Sequence, residues 1–254
     1  VYPIAFFLIA FASIFGGALL GMFFRTRLPE HHLNTDSRDV IKLGTGMIAT
    51  LAALVLGLLI SSAKGTFDAI NNDLKQVGSK IILLDRTMAQ YGPETREARD
   101  MLRRVVAATI ARMWPTEKDR ILVEKAGQSE IGQEDIDRML RQLSPRNDQQ
   151  RQLQAQALQI SDEIAQARWL FIEYFGQSSF PLPILVLLVC WLTIIFFTFG
   201  LFASRNATVI VVLLICAFSA ASSLLLILDL DQPFSGLIKI SNTSLVNVLA
   251  HLGQ

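Results

Sequence analysis

Residues 41–63 read IKLGTGMIATLAALVLGLLISSA, with Lys42 near the start as the one charged side chain. An apolar run of about 20 residues is what a helix needs to cross the ~30 Å hydrocarbon core of a bilayer. No water is available there to bond a bare peptide group, so such a stretch has to be helical. Three other stretches share its character. Pro3–Phe24 precedes it, and Phe180–Ala203 and Ala207–Leu228 follow. Only Ser204, Arg205 and Asn206 separate the last two, which predicts a tight antiparallel hairpin. Hydrophobic residues make up 52% of the 254, too many for a water-soluble domain of this size. The expected fold class is all-α: a four-span integral membrane protein with a helical extramembrane insert between spans two and three. Residues 3–24 read as a span rather than a secretory signal. No basic residue precedes them, the apolar run is too long for a signal core, and no A-x-A site follows.

The chain divides by composition into four segments. Residues 1–63 carry spans one and two, 64–179 a polar helical stalk, 180–228 the hairpin of spans three and four, and 229–254 a tail. In the stalk, Leu74, Val77, Ile81, Leu84 and Met88 follow a 3-4-3-4 spacing, which is a heptad seam. Tyr91-Gly92-Pro93 stops that helix. Pro93 opens the next, with Glu94 and Glu97 in the first turn, where the helix dipole favours acids. Its apolar face is expected at Ala98, Met101, Leu102, Val105, Thr109 and Met113, and Trp114-Pro115 ends it. A less regular stretch with a short helix over 133–143 follows, and Ser144-Pro145 breaks the chain again. Leu153, Ala157, Ile160, Ile164, Ala167 and Phe171 form a second heptad seam running towards span three. In the tail, Leu245, Val248, Leu249 and Leu252 form the stripe of a short amphipathic helix lying on the membrane or on the stalk, with 236–240 beneath it.

Several function classes lose support at this level. The net charge is +1 and no basic patch is interleaved with aromatics, so a nucleic-acid partner is not expected. Cys190 and Cys216 both lie inside spans and read as apolar packing residues rather than a disulfide or metal pair. His31-His32, near Asp36 and Asp39, match no zinc spacing, so no metal site and no cofactor is assigned. Asn34, Thr35 or Asp36 could cap the approach to span two. There is no phosphate loop, nucleophile elbow or buried carboxylate pair, so no catalytic residue is expected. No span holds a charge at mid-depth, which argues against a proton-coupled transporter.

Two stretches carry a resemblance. The end of span two reads LVLGLLISS over residues 54–62, followed by Phe67-Asp68. Past span four the chain reads LDLDQPFSG over residues 228–236. Both resemble bestrophins, which have a V-L-G-type segment in the pore-lining second helix and, in bacterial members, an acidic-Pro-Phe-Gly stretch after the fourth. Residues 28–60 and 83–94 are similar to bacterial membrane proteins described as bestrophin-like, and the similarity covers most of the chain. Bestrophins are homopentameric, mostly anion-selective channels, so the resemblance implies an ion channel. It implies a homo-oligomer, pentameric or tetrameric, in the cell (inner) membrane as a multi-pass protein. Its partners would be the lipid bilayer and inorganic ions. The post-span-four motif maps to Asp229, Asp231, Pro233, Phe234 and Gly236. This chain departs from the pattern in four ways. Lys64-Gly65-Thr66-Phe67 replaces the cluster after the second helix, Ser235 separates Phe234 from Gly236, only about 25 residues follow span four, and span two lacks the bulky aromatic constriction of animal bestrophins. The resemblance places the insert in the cytoplasm, whereas Arg25, Arg27, Arg38 and Arg205 in the short loops vote for the opposite orientation.

The pore-lining candidates are Thr45, Thr50, Leu54, Leu58 and Ser61. Thr50, Leu54 and Leu58 fall at i, i+4 and i+8 and share a face. A ring of Leu54 and Leu58 would make an apolar constriction that gates by dewetting. The same small residues, including Gly44, Gly46 and Gly57, also suit close helix packing, so both roles stay open for span two. Asp229 and Asp231 read as a solvated helix end, or as an acidic ring in an oligomer. The rival to a channel is a non-conducting interaction protein, an accessory subunit or membrane-anchored sensor whose stalk binds a partner.

Overall fold

The computed structural model describes residues 3–27, 35–114, 133–176, 182–234 and 236–253, and among them there is no strand. Among the described residues eight α-helices follow in order: α1 Pro3–Arg25, α2 Thr35–Tyr91, α3 Arg96–Met113, α4 Gln133–Gln142, α5 Asp148–Gly176, α6 Leu182–Phe202, α7 Ala207–Leu230 and α8 Thr243–His251. Four of them, α1, α2, α6 and α7, are long and apolar enough to cross a membrane. His31-His32, Asn34, the side chains of Thr35 and Asp36, the 115–132 stretch and the Phe171 side chain fall outside what is described. The chain forms two compact units, 1–67 with 178–238, and 68–177 with 239–254. α2 contributes its first part to one unit and its second part to the other. Span two and the first stalk helix are one unbroken helix of 57 residues.

In the first unit, α1 packs on both α6 and α7, most extensively on α6. The α1–α6 crossing is backbone against backbone. A Cβ added at Gly17 would lie 2.9 Å from the Thr193 carbonyl oxygen. At Gly21 it would overlap the Phe197 carbonyl, and at Gly200 the Ala18 carbonyl. Gly17 and Gly21 lie four residues apart and so share a face of α1. Lipid offers little hydrophobic drive between helices, so close approach through small residues supplies dispersion contact instead. On the α7 side, Phe218 meets Phe7 edge-on at 5.5 Å between ring centroids. The Arg25 guanidinium donates to the Ala203 carbonyl. Arg205 donates to the Met22 carbonyl at 3.1 Å. Each thus satisfies a carbonyl at the end of a neighbouring helix. Cys190 and Cys216 are exposed and do not pack inside the chain, contrary to the packing role expected of them.

In the second unit, Leu74, Ile81, Leu84 and Met88 are buried, as the first seam requires, and Val77 is half-buried. Gly92 ends α2 with φ of 135°, a conformation that favours glycine. Pro93–Thr95 forms a 3₁₀ turn, so α3 starts at Arg96 and not at Pro93. The buried Thr95 hydroxyl lies 2.6 Å from the Met88 carbonyl and 2.8 Å from that of Gly92, tying the turn down. The core face of α3 is Ala98, Leu102 and Val106. The expected Thr109 is exposed and bonds the Val105 carbonyl of its own helix instead. Ile136 and Leu140 of α4 are fully buried, and Ala157, Ile160 and Ile164 realise the second seam. Asp85, almost fully buried, accepts two hydrogen bonds from Arg99 at 2.8 and 2.9 Å and a third from the Gly253 backbone at 3.3 Å. Lys80 lies 3.1 Å from Glu163, and its hydrogen bond, with one from Gln159, holds the Glu163 carboxyl below its ordinary value.

The tail helix α8 lies on the stalk. Leu245, Val248 and Leu252 are buried and Leu249 is half-buried. Val248 approaches α2 where Gly78 lacks a side chain, 3.1 Å from where a Cβ would sit. The Trp114 indole donates to the Ile240 carbonyl at 2.8 Å. Of the 236–240 stretch expected beneath the helix, Ile240 is buried but Leu237 is 80% exposed.

Candidate functional site

The membrane segment of α2 differs from the other three. Its mean hydropathy of 2.3 equals that of α1, yet only 11% of it is buried, against 33%, 39% and 22% for α1, α6 and α7. The exposed side is continuous. Leu43, Met47, Thr50, Leu54, Leu58 and Ser61 all lie on it, and Leu54 and Leu58 are 61% and 63% exposed. At about 100° per residue, Thr50, Leu54, Leu58 and Ser61 fall within roughly 80° of arc, so these four expected residues do share a face. The buried side of the same segment carries Thr45, Ala52 and Ala63.

Thr45 is therefore set apart from the other candidates. It lies about 180° from Leu54 around the helix. It is 8% exposed and lines a groove against Thr198 of α6 and Leu213 of α7. One face cannot present both Thr45 and Leu54. The Thr50 hydroxyl donates to the Gly46 carbonyl at 2.9 Å. Its proton is used within the helix, so what Thr50 offers outward is an acceptor oxygen.

The glycines of this segment meet nothing. A Cβ at Gly44, Gly46, Gly57 or Gly65 would find no atom of another element within 4 Å. Close packing within the chain, one of the two roles open to these small residues, is thus not what they do among the described residues.

Past span four the structure corrects the expectation of a solvated helix end. Asp229 is 4% exposed. Its carboxylate accepts from the Leu237 backbone N–H at 2.6 Å and the Ile238 N–H at 2.8 Å. The chain turns back through the Gln232 N–H to the Asp229 carbonyl and the Gly236 N–H to the Gln232 carbonyl, both at 3.0 Å. A Cβ at Gly236 would sit 2.6 Å from the Asp229 carboxylate, so the motif needs glycine there on grounds of space. Asp231, Pro233 and Phe234 are partly exposed around this turn. The acidic-Pro-Phe-Gly stretch works as a clamp in which one carboxylate organises the turn that follows it. Sequence reasoning missed the clamp because burial of Asp229 depends on residues eight and nine positions later folding back. Among the described residues, no three His, Cys, Asp or Glu side chains are grouped to hold a metal.

A family model described as a Bestrophin-like domain matches residues 12–245 of the chain. No curated protein and no solved structure matches it.

Proposed function

The chain belongs to the bestrophin-like domain family, and from that premise we propose that it is an oligomeric ion channel with α2 lining the pore. The observation that carries the reading is the α2 membrane segment, apolar enough to span yet only 11% buried by its own chain. Four packed helices enclose no water path, and a bare ion moved into a medium of dielectric ~4 costs on the order of 20 kcal/mol. Conduction therefore requires several copies, a pentamer or a tetramer, with the α2 faces turned to a shared axis. The lumen-facing residues are then Thr50, Leu54, Leu58 and Ser61. Leu54 and Leu58 form the dewetting constriction, and Thr50 and Ser61 supply oxygen on either side of it. Thr45 lies on another face and supports the helix from behind. The clamp of Asp229, Gly236 and their neighbours holds the exit of α7 in shape. The protein acts as a multi-pass channel of the cell (inner) membrane, with the bilayer and inorganic ions as partners and no enzymatic step.

The test is ion flux into liposomes holding the purified oligomer, with chloride and sodium measured separately. Thr50→Lys places a cation on the lumen face and is expected to abolish or invert the ion preference while the oligomer stays intact. Wild-type-like flux in that variant sinks the assignment of the face. An intact, inserted wild-type oligomer without flux sinks the channel, in favour of a membrane interaction protein that works through its stalk.

A further inference from the structure

The buried side of α2 borders a groove of about 620 Å³ in the membrane unit, within the ~300–1,000 Å³ range of ligand sites. Its walls are Gly46 and Ala49 of α2, Phe199 and Phe202 of α6, and Val209 and Val212 of α7. The Thr198 hydroxyl in the wall is turned to the Ile194 carbonyl of its own helix at 2.9 Å, so that wall stays apolar. Lys42 stands at one end, with Arg38 one turn earlier, its guanidinium 5.8 Å from the centroid of the Phe202 ring. Asp39 approaches Lys42 at 3.8 Å, but both side chains are 65% exposed, and such a pair holds little. Arg25 is bonded to the carbonyl of Ala203, which also lines the groove. An apolar trough is thus continuous with a cationic mouth at the level of the short loops.

We propose that this groove binds an anionic phospholipid, one acyl chain in the trough and the phosphate at Arg38 and Lys42. Charge decides against a second copy of the chain as occupant. Copies inserted in one orientation carry the same short loops at the same depth, where Arg25, Arg27, Arg38, Lys42 and Arg205 outnumber Glu30, Asp36 and Asp39, so on balance the mouth would face like charge. A lipid phosphate reverses that sign. Gly46 supplies a clean probe of the trough. A Cβ there meets no other element within 4 Å, so a larger side chain starts into open space beside the groove that Gly46 lines. Replacing a helical glycine also favours the helix.

The experiment is native mass spectrometry of the full chain in detergent, titrated with phosphatidylglycerol or phosphatidylcholine of matched acyl chains. Each basic residue at a membrane surface favours anionic lipid by about fivefold, so two predict a preference of roughly 25-fold for phosphatidylglycerol. The double variant Arg38→Gln, Lys42→Gln should bind both lipids equally. Gly46→Leu should lose both lipids at least tenfold, with helix content and oligomer mass unchanged. Equal retention of the two lipids by wild type, or a preference that survives both variants, overturns the proposal. So does displacement of the lipid by millimolar inorganic phosphate, which would make the mouth a free-anion site. A changed oligomer mass in Gly46→Leu also overturns it, because the groove would then seat a neighbouring copy. None of these readouts depends on whether the protein conducts.

Discussion

Two membrane helices of this chain are rich in glycine, and they use it in opposite ways. On α1, Gly17 and Gly21 bring the backbone against α6, where Gly200 answers from the other side. On α2, Gly44, Gly46, Gly57 and Gly65 face open space. The first pattern builds the interior of a unit. The second leaves a helix free to face a lumen, lipid or a neighbouring copy. A small residue in a span is therefore not one signal, and only the atoms opposite it say which role it has. Gly236 is a third case, closed against a carboxylate rather than a backbone.

This contrast orders three substitutions by size of effect. Gly21→Leu places atoms inside the Phe197 carbonyl of a helix that cannot retreat without losing its other contacts. A loss of about 3 kcal/mol or more is expected from overpacking, read as a large drop in melting temperature or as failure to purify folded protein. A variant as stable as wild type would mean the α1–α6 crossing is looser than its geometry. Next comes Gly236→Ala. Its methyl displaces the Asp229 carboxylate and weakens its bonds to two backbone N–H groups, at a cost of roughly 2 kcal/mol by thermal or denaturant unfolding. Unchanged stability would remove Asp229 as the organiser of the turn. The smallest effect belongs to Gly57→Ala, expected to stabilise by about 0.5–1 kcal/mol because an unhindered helical glycine is replaced by the best helix former. Its second readout is the oligomer. If copies meet backbone to backbone at Gly57, the methyl will lower the oligomer mass, and the lumen reading of that face fails.

The four-arginine vote for orientation also changes once partners are visible. Arg25 and Arg205 are bonded to carbonyls at helix ends, a role that hydrogen bonding gives them whatever the orientation. Their presence in short loops has a structural cause independent of which side of the membrane they face.

Spans, stalk helices and both seams were legible because each is a local pattern of length or period. α3 shows where such patterns slip. The expected face included Val105 and Thr109, but the buried row is Ala98, Leu102 and Val106, on a helix that packs on α4 and α8. The Gly-x-x-x-Gly spacing at 17 and 21 is the local signal of the close α1–α6 crossing. Asp229 was not legible at all. Its environment is made by Leu237 and Ile238, and no local pattern announces that a chain will fold back on a carboxylate.

By itself the sequence determined that this protein crosses a membrane on helices, because transfer of apolar surface and the need to bond every peptide group act on each stretch separately. It also determined where helices stop, since Gly92 and Pro93 act through their own dihedrals. Tertiary structure decided what depends on two elements at once. It chose which glycines are contacts, seated Thr45 beside Thr198 and Leu213, docked α8 on the stalk and buried Asp229. Each of these is a meeting of surfaces, and a surface acquires a partner only when the chain has packed.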